Sequence, residues 1–139
     1  MRRLAASAAL LLLLSGCAFG PGTQDWTLRS LPGSYEIWRV NSQSIELCIG
    51  ISETGAAHVL GPYVCAAGWT EDWIFVQLLP QRDSEAPVSY YAVSVDSAQI
   101  LGPFDTEAAL SQAVQTGIPV WYTAAELADM ARSEEQSYG

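Results

Sequence analysis

The chain has 139 residues, half of them apolar, with six basic side chains (all Arg), fifteen acidic ones and a single histidine. With no lysine it lacks the dense basic patches that grip nucleic acid or anionic headgroups, so no nucleic-acid partner is expected. The length suits one domain with one core and is too short for two ordinary ones.

Arg2 and Arg3 precede an uncharged stretch, Leu4 to Gly16, that ends in small residues, the anatomy of a secretory signal over residues 1–16. At thirteen residues it falls short of the roughly 20 needed to span a bilayer. Leu14-Ser15-Gly16-Cys17 resembles the lipobox of bacterial lipoproteins at every position. The resemblance implies cleavage before Cys17, a diacylglyceryl thioether on its sulfur and acylation of the new amino terminus. Two or three chains hold a protein at the bilayer where one does not. The expected location is therefore the cell envelope, with the membrane as partner through the lipid. By the same resemblance Ala18, where an Asp tends to retain such proteins in the inner membrane, points to the outer membrane of a two-membraned host. Cleavage removes two arginines, so four Arg face fifteen acidic residues and residues 17–139 carry −11. That surface reads as a solvated coat that keeps a tethered protein soluble, or as a docking face for a basic partner or divalent cations.

Residues 17–33, "CAFGPGTQDWTLRSLPG", read as a lipidated Cys followed by a flexible tether. Trp26, Leu28 and Leu31 leave a second reading open, in which they pack on the domain as an edge segment. The single domain is expected over residues 34–135. "YEIWRV" (Tyr35 to Val40), "SIELCIGI" (Ser44 to Ile51), "WIFVQLL" (Trp73 to Leu79) and "VSYYAVSV" (Val88 to Val95) are strand-like, with "AHVLGPYVC" (Ala57 to Cys65) and "AQIL" (Ala98 to Leu101) weaker. Short polar connections between them predict an antiparallel meander. Leu60-Gly61-Pro62-Tyr63 and Leu101-Gly102-Pro103-Phe104 read as Gly-Pro corners at strand ends. The period then switches. Asp105 or Thr106 caps a helix with the stripe Leu110, Ala113, Val114 and a stop at Gly117. Thr123 and Glu126 form a capping box for a second helix with the stripe Ala124, Leu127, Ala128, Ala131. Glu134 and Glu135 oppose the helix dipole, which predicts fraying after Arg132 and a frayed tail over 136–139. The fold class is α+β: an antiparallel β-meander of about five to six strands followed by two short C-terminal helices.

"GSYEIWRVNSQSI", the Gly68-Trp69 corner leading into "DWIFVQ", and the "ILGPFDTEAAL" junction resemble a group of small bacterial lipoproteins of unknown function, over roughly Gly33 to Leu110. The resemblance implies the address and the architecture, and brings no activity, cofactor or catalytic residues.

Little in the chain spells chemistry. One histidine, His58, and two cysteines 17 apart make no metal-ligand set, and no cofactor motif occurs, so neither metal nor cofactor is expected. His58 reads as an exposed strand or loop residue, and no nucleophile elbow accompanies it. In an oxidising compartment Cys48 and Cys65, on successive strand candidates, are a candidate disulfide pair, against the reading of two small apolar residues that never meet. Trp69, Trp73, Trp121 and Tyr122 are a candidate sugar or peptide binding patch, with core packing as the alternative. The expected function is that of a membrane-anchored extracytoplasmic lipoprotein, non-enzymatic, with a binding or structural role toward an envelope protein or glycan. The alternative is an interaction module that inhibits or regulates an envelope enzyme.

Overall fold

The computed structural model describes residues 26–52 and 55–138. The expected signal peptide (1–16), Cys17 and the first part of the expected tether lie outside the described residues. Eight strands come first: β1 (Trp26–Leu28), β2 (Tyr35–Asn41), β3 (Ser44–Ser52), β4 (Gly55–Leu60), β5 (Tyr63–Trp69), β6 (Trp73–Leu79), β7 (Ser89–Ser94) and β8 (Ile100–Phe104). Helix α1 (Glu107–Val114), the two-residue β9 (Tyr122–Thr123) and helix α2 (Ala124–Tyr138) follow.

The α+β class holds, but the sheet has nine strands and is mixed, which corrects the meander of five to six. Its order is β1-β2-β3-β5-β6-β7-β8, with β4 paired to β3 and β9 to β5. Among the described residues every pairing is antiparallel except β3 with β5, which run parallel and meet at Ile45 and Tyr63. The stretch that reads as one weak strand is two. A cis Gly61-Pro62 bond separates them, β4 lies back along β3, and β5 departs to pair with β6. The second corner, also cis, sits inside β8, an outer strand where a missing amide donor costs no ladder bond. β1 and β9, at three and two residues, are too short to show a period in sequence.

Alternation along β6 sends Ile74, Val76 and Leu78 to one face and Phe75 to the other, and each face has its own cover. The larger core joins Ile37, Leu47, Val64, Val76 and Val93 to Leu127, Ala128 and Ala131 of α2 and to Trp26, Leu28 and Leu31. The smaller one is Phe75, Ala92 and Leu110 of α1. Trp26, Leu28 and Leu31 are thus buried, and the tether reading is corrected for that stretch: β1 extends the sheet beside β2, because three large apolar groups gain more from burial than a linker gains from freedom.

Both caps form. The Thr106 hydroxyl accepts from the Ala109 amide, and Thr123 and Glu126 exchange the two bonds of a capping box. Helix α1 stops at Gln115, in the left-handed region with φ 59, rather than at Gly117. The expected fraying after Arg132 is also corrected, since α2 runs to Tyr138. The Glu134 carboxylate, which opposes the dipole, accepts the Arg29 amide at 2.7 Å and the Ser30 hydroxyl, tying this turn to the end of β1. Gly68 is required by space, because a Cβ there would stand 2.1 Å from the Val120 carbonyl oxygen, where the chain crosses just before β9.

Candidate functional site

The four aromatic residues of the expected binding patch are not brought together. Trp69 packs at the margin of the larger core with Tyr122, ring centroids 5.4 Å apart. Trp73 and Trp121 belong to the other face of the sheet, where Trp121 meets Phe75 and Tyr90 edge-on at 6.5 and 6.0 Å. The Trp121 indole donates to Glu107 of α1 at 2.5 Å. All four rings are half-buried, so packing accounts for them and the single patch is corrected to two separate pairs of margin residues.

Cys48 and Cys65 are free thiols, which corrects the candidate bridge. The reason is register. Across the hairpin from Cys48 stands His58, whereas Cys65 is the extra residue of a bulge between β5 and β6, its thiol directed at the Gln77 carbonyl at 3.4 Å. The same register gathers a trio that sequence reading missed: Cys48, His58 and, two residues before the cysteine, Glu46, whose carboxylate lies 2.5 Å from His58 Nδ1. It has the cast of a nucleophile, a base and an orienting acid. The electrostatics oppose that role. Burial pushes the Cys48 thiol up to about 12, and the Glu46 and Glu36 carboxylates push the same way, so at neutral pH no thiolate is available to attack. Among the described residues no group of His, Cys, Asp and Glu is placed to hold a metal ion.

A cleft of about 300 Å³ lies beneath the start of α2. Its floor is one transverse row of the sheet, in register from strand to strand: Trp26 of β1, Arg39 of β2, Ile45 of β3 and Tyr63 of β5. Its walls are the first turns of α2, with Ala124, Ala125 and Ala128, and its rim carries Arg82 from the β6–β7 loop, Arg132 and Asp129. Three of the four arginines of residues 17–139 therefore converge on one small space. Arg82 donates to the Ser42 carbonyl at 2.9 Å and lies 3.5 Å from Asp83; Arg132 lies 3.3 Å from Asp129; Arg39 donates to the Asn41 carbonyl at 3.3 Å. Those contacts fix where the guanidinium groups of Arg82 and Arg132 lie, each beside a carboxylate. The signal was present in "YEIWRV". Tyr35, Ile37 and Arg39 share the inward face of β2, so an arginine follows two core residues in the period of the strand.

No protein-family model, curated protein or solved structure matches the chain.

Proposed function

We propose that this protein is a lipid-anchored, extracytoplasmic envelope lipoprotein whose domain acts by binding rather than by catalysis. The observation that carries the address is Leu14-Ser15-Gly16-Cys17, followed after eight residues by Trp26, the first residue of the sheet. Fully stretched, the nine steps from Cys17 to Trp26 cover about 30 Å, so an anchored domain works close to the bilayer. The binding role is supported by the arginine-lined cleft, and by a cysteine, histidine and glutamate trio whose thiol is held protonated. The resemblance to small bacterial lipoproteins adds to the address.

The test of the anchor is metabolic labelling with a fatty acid in cells that express the full chain or Cys17→Ser. Label on the wild type and none on the variant is the expected result; equal label on both overturns it. For the role, recovery of peptidoglycan or an assembly complex with the detergent-extracted protein supports a binding or structural part, while recovery of one stoichiometric envelope enzyme favours a regulatory module.

A further inference from the structure

We infer that the cleft between the Trp26–Arg39–Ile45–Tyr63 row and the first turns of α2 is a binding site for a neutral sugar ring. Its rim charges come in pairs. Arg132 lies 3.3 Å from Asp129 and Arg82 lies 3.5 Å from Asp83, so each rim guanidinium stands beside a carboxylate, and Arg39 on the floor is tied to the Asn41 carbonyl. Such a rim presents donors and acceptors side by side instead of a field of one sign. An anion only accepts and an ammonium only donates, whereas every hydroxyl does both. Neighbouring hydroxyls of a pyranose therefore fit the Asp129 and Arg132 pair as a unit, one donating to the carboxylate and the next accepting from the guanidinium, with charge assistance in both bonds. Both members of that pair are more than half exposed, so a ligand reaches them without burying an unpaired charge.

A sugar also carries C–H surfaces, and the rest of the lining suits them. Trp26 and Tyr63 stand at the two ends of the floor with Ile45 between them, and the alanines of α2 form the wall. Trp26 is 9% exposed and belongs to the larger core, and Tyr63 packs against the same core, so both rings are fixed before a ligand arrives and little side-chain entropy is lost on binding. The alanines keep the space open, since a larger side chain at Ala125 would fill it. At about 300 Å³ the cleft is at the small end for ligand sites and holds one ring with its substituents. This assignment rests on the binding role proposed above, which it narrows to a sugar, and does not need the anchor. The anchor bears only on the source, because a domain held at the envelope meets glycan polymer as well as free sugar.

The experiment titrates glucose, N-acetylglucosamine and glucuronate, by calorimetry, into the full chain held in a neutral polyoxyethylene detergent that carries no sugar. Saturable binding of one equivalent of a neutral sugar is expected, with an affinity that raised salt leaves unchanged. Asp129→Asn and Arg132→Gln should each weaken it by about tenfold, the loss of a charged hydrogen bond. Asp129→Asn also leaves Arg132 without its carboxylate, so this variant should bind glucuronate more tightly than the wild type does, a change of preference that a loss of stability would not produce. Glu135→Gln is the control, an exposed carboxylate of the same helix outside the cleft, and should change affinity less than about twofold. Ala125→Phe blocks the space from an exposed position without removing a charge or a hydrogen bond, and should abolish binding with the thermal midpoint kept. Co-sedimentation with purified peptidoglycan then separates the sources. Retention that Ala125→Phe loses assigns the site to glycan polymer, and saturable sugar binding without retention assigns it to a free sugar; both support a sugar site. No saturable binding of either neutral sugar, glucuronate bound more tightly than both by the wild type, or equal weakening by Glu135→Gln overturns the proposal. Peptidoglycan retained equally by the wild type and Ala125→Phe overturns the cleft assignment and leaves the binding role standing.

Discussion

Cys48 shows how neighbours decide what a side chain can do. A thiol on a solvent-facing strand beside a histidine would be a candidate nucleophile, but this one is buried on a face it shares with Glu36 and Glu46. Its pKa is raised from 9.0 to about 12, so folding favours the protonated form. The stabilisation this implies is complete below pH 9 and is lost as pH rises from 9 toward 12, where the unfolded thiol ionises and the folded one does not. Thermal melts across that interval should fall less steeply for Cys48→Ala than for the wild type; identical slopes would mean that the thiol carries none of the loss. Because both cysteines are free, unreduced protein unfolded in denaturant should take up an alkyl adduct at Cys48 and another at Cys65, while native protein at neutral pH should alkylate slowly at Cys48. Adducts that appear only after reduction would establish a bridge instead. Gly68 is the other residue whose surroundings are decisive. A Cβ 2.1 Å from the Val120 oxygen forces the strand before α2 outward, so Gly68→Ala should lower stability by about 1–3 kcal/mol in urea unfolding, the usual cost of overpacking.

At the scale of elements, the parts that could be read from the sequence are those whose signal is local. The β2, β3, β6 and β7 runs are long enough to show strand composition, and the two threonine caps announce their helices by residue type and spacing alone. Thr106→Ala and Thr123→Ala should each cost about 1 kcal/mol in chemical denaturation, the typical value of an N-cap. The illegible parts depend on residues far apart in sequence. Glu134 looks misplaced until the Arg29 amide and the Ser30 hydroxyl, more than a hundred residues away, arrive beside it. The cleft is illegible for the same reason, since no local pattern says that Arg39, Arg82 and Arg132 will converge. Glu134→Ala should therefore do more than relieve a dipole. It removes the acceptor shared by the Arg29 amide and the Ser30 hydroxyl, and both the C-terminal part of α2 and β1 should exchange their amide hydrogens faster, with a loss of about 1 kcal/mol. Faster exchange in α2 alone would mean that the tie does not hold β1.

For the whole molecule the question is where the folded unit begins. Periodicity places the first strand at Tyr35 and leaves Trp26, Leu28 and Leu31 undecided, because three residues of strand are too few to declare a period. The sheet decides it. Trp26, Thr27 and Leu28 stand opposite Arg39, Trp38 and Ile37, and Leu28 is fully buried in the same core as Leu127 and Ala131 of the last helix. The two ends of the folded chain thus close one core, which makes the structure depend on contacts of long sequence separation. A chain starting at Ser34 keeps every strand that composition reveals and loses three side chains whose burial contributes about 1.5–3 kcal/mol each. Their sum is comparable with the 5–15 kcal/mol that holds a typical domain together. It also removes Trp26 from the floor of the cleft and exposes the apolar face of α2 that β1 covers. A chain starting at Thr23 keeps all of this and lacks only residues 1–22, the proposed lipid attachment site among them. In matched thermal and urea unfolding, the Thr23 start should give one cooperative transition, and the Ser34 start should melt far lower or fail to fold. Equal midpoints for the two would show that β1 lies on the sheet without stabilising it, and that the freedom of a linker extends to Gly33 after all.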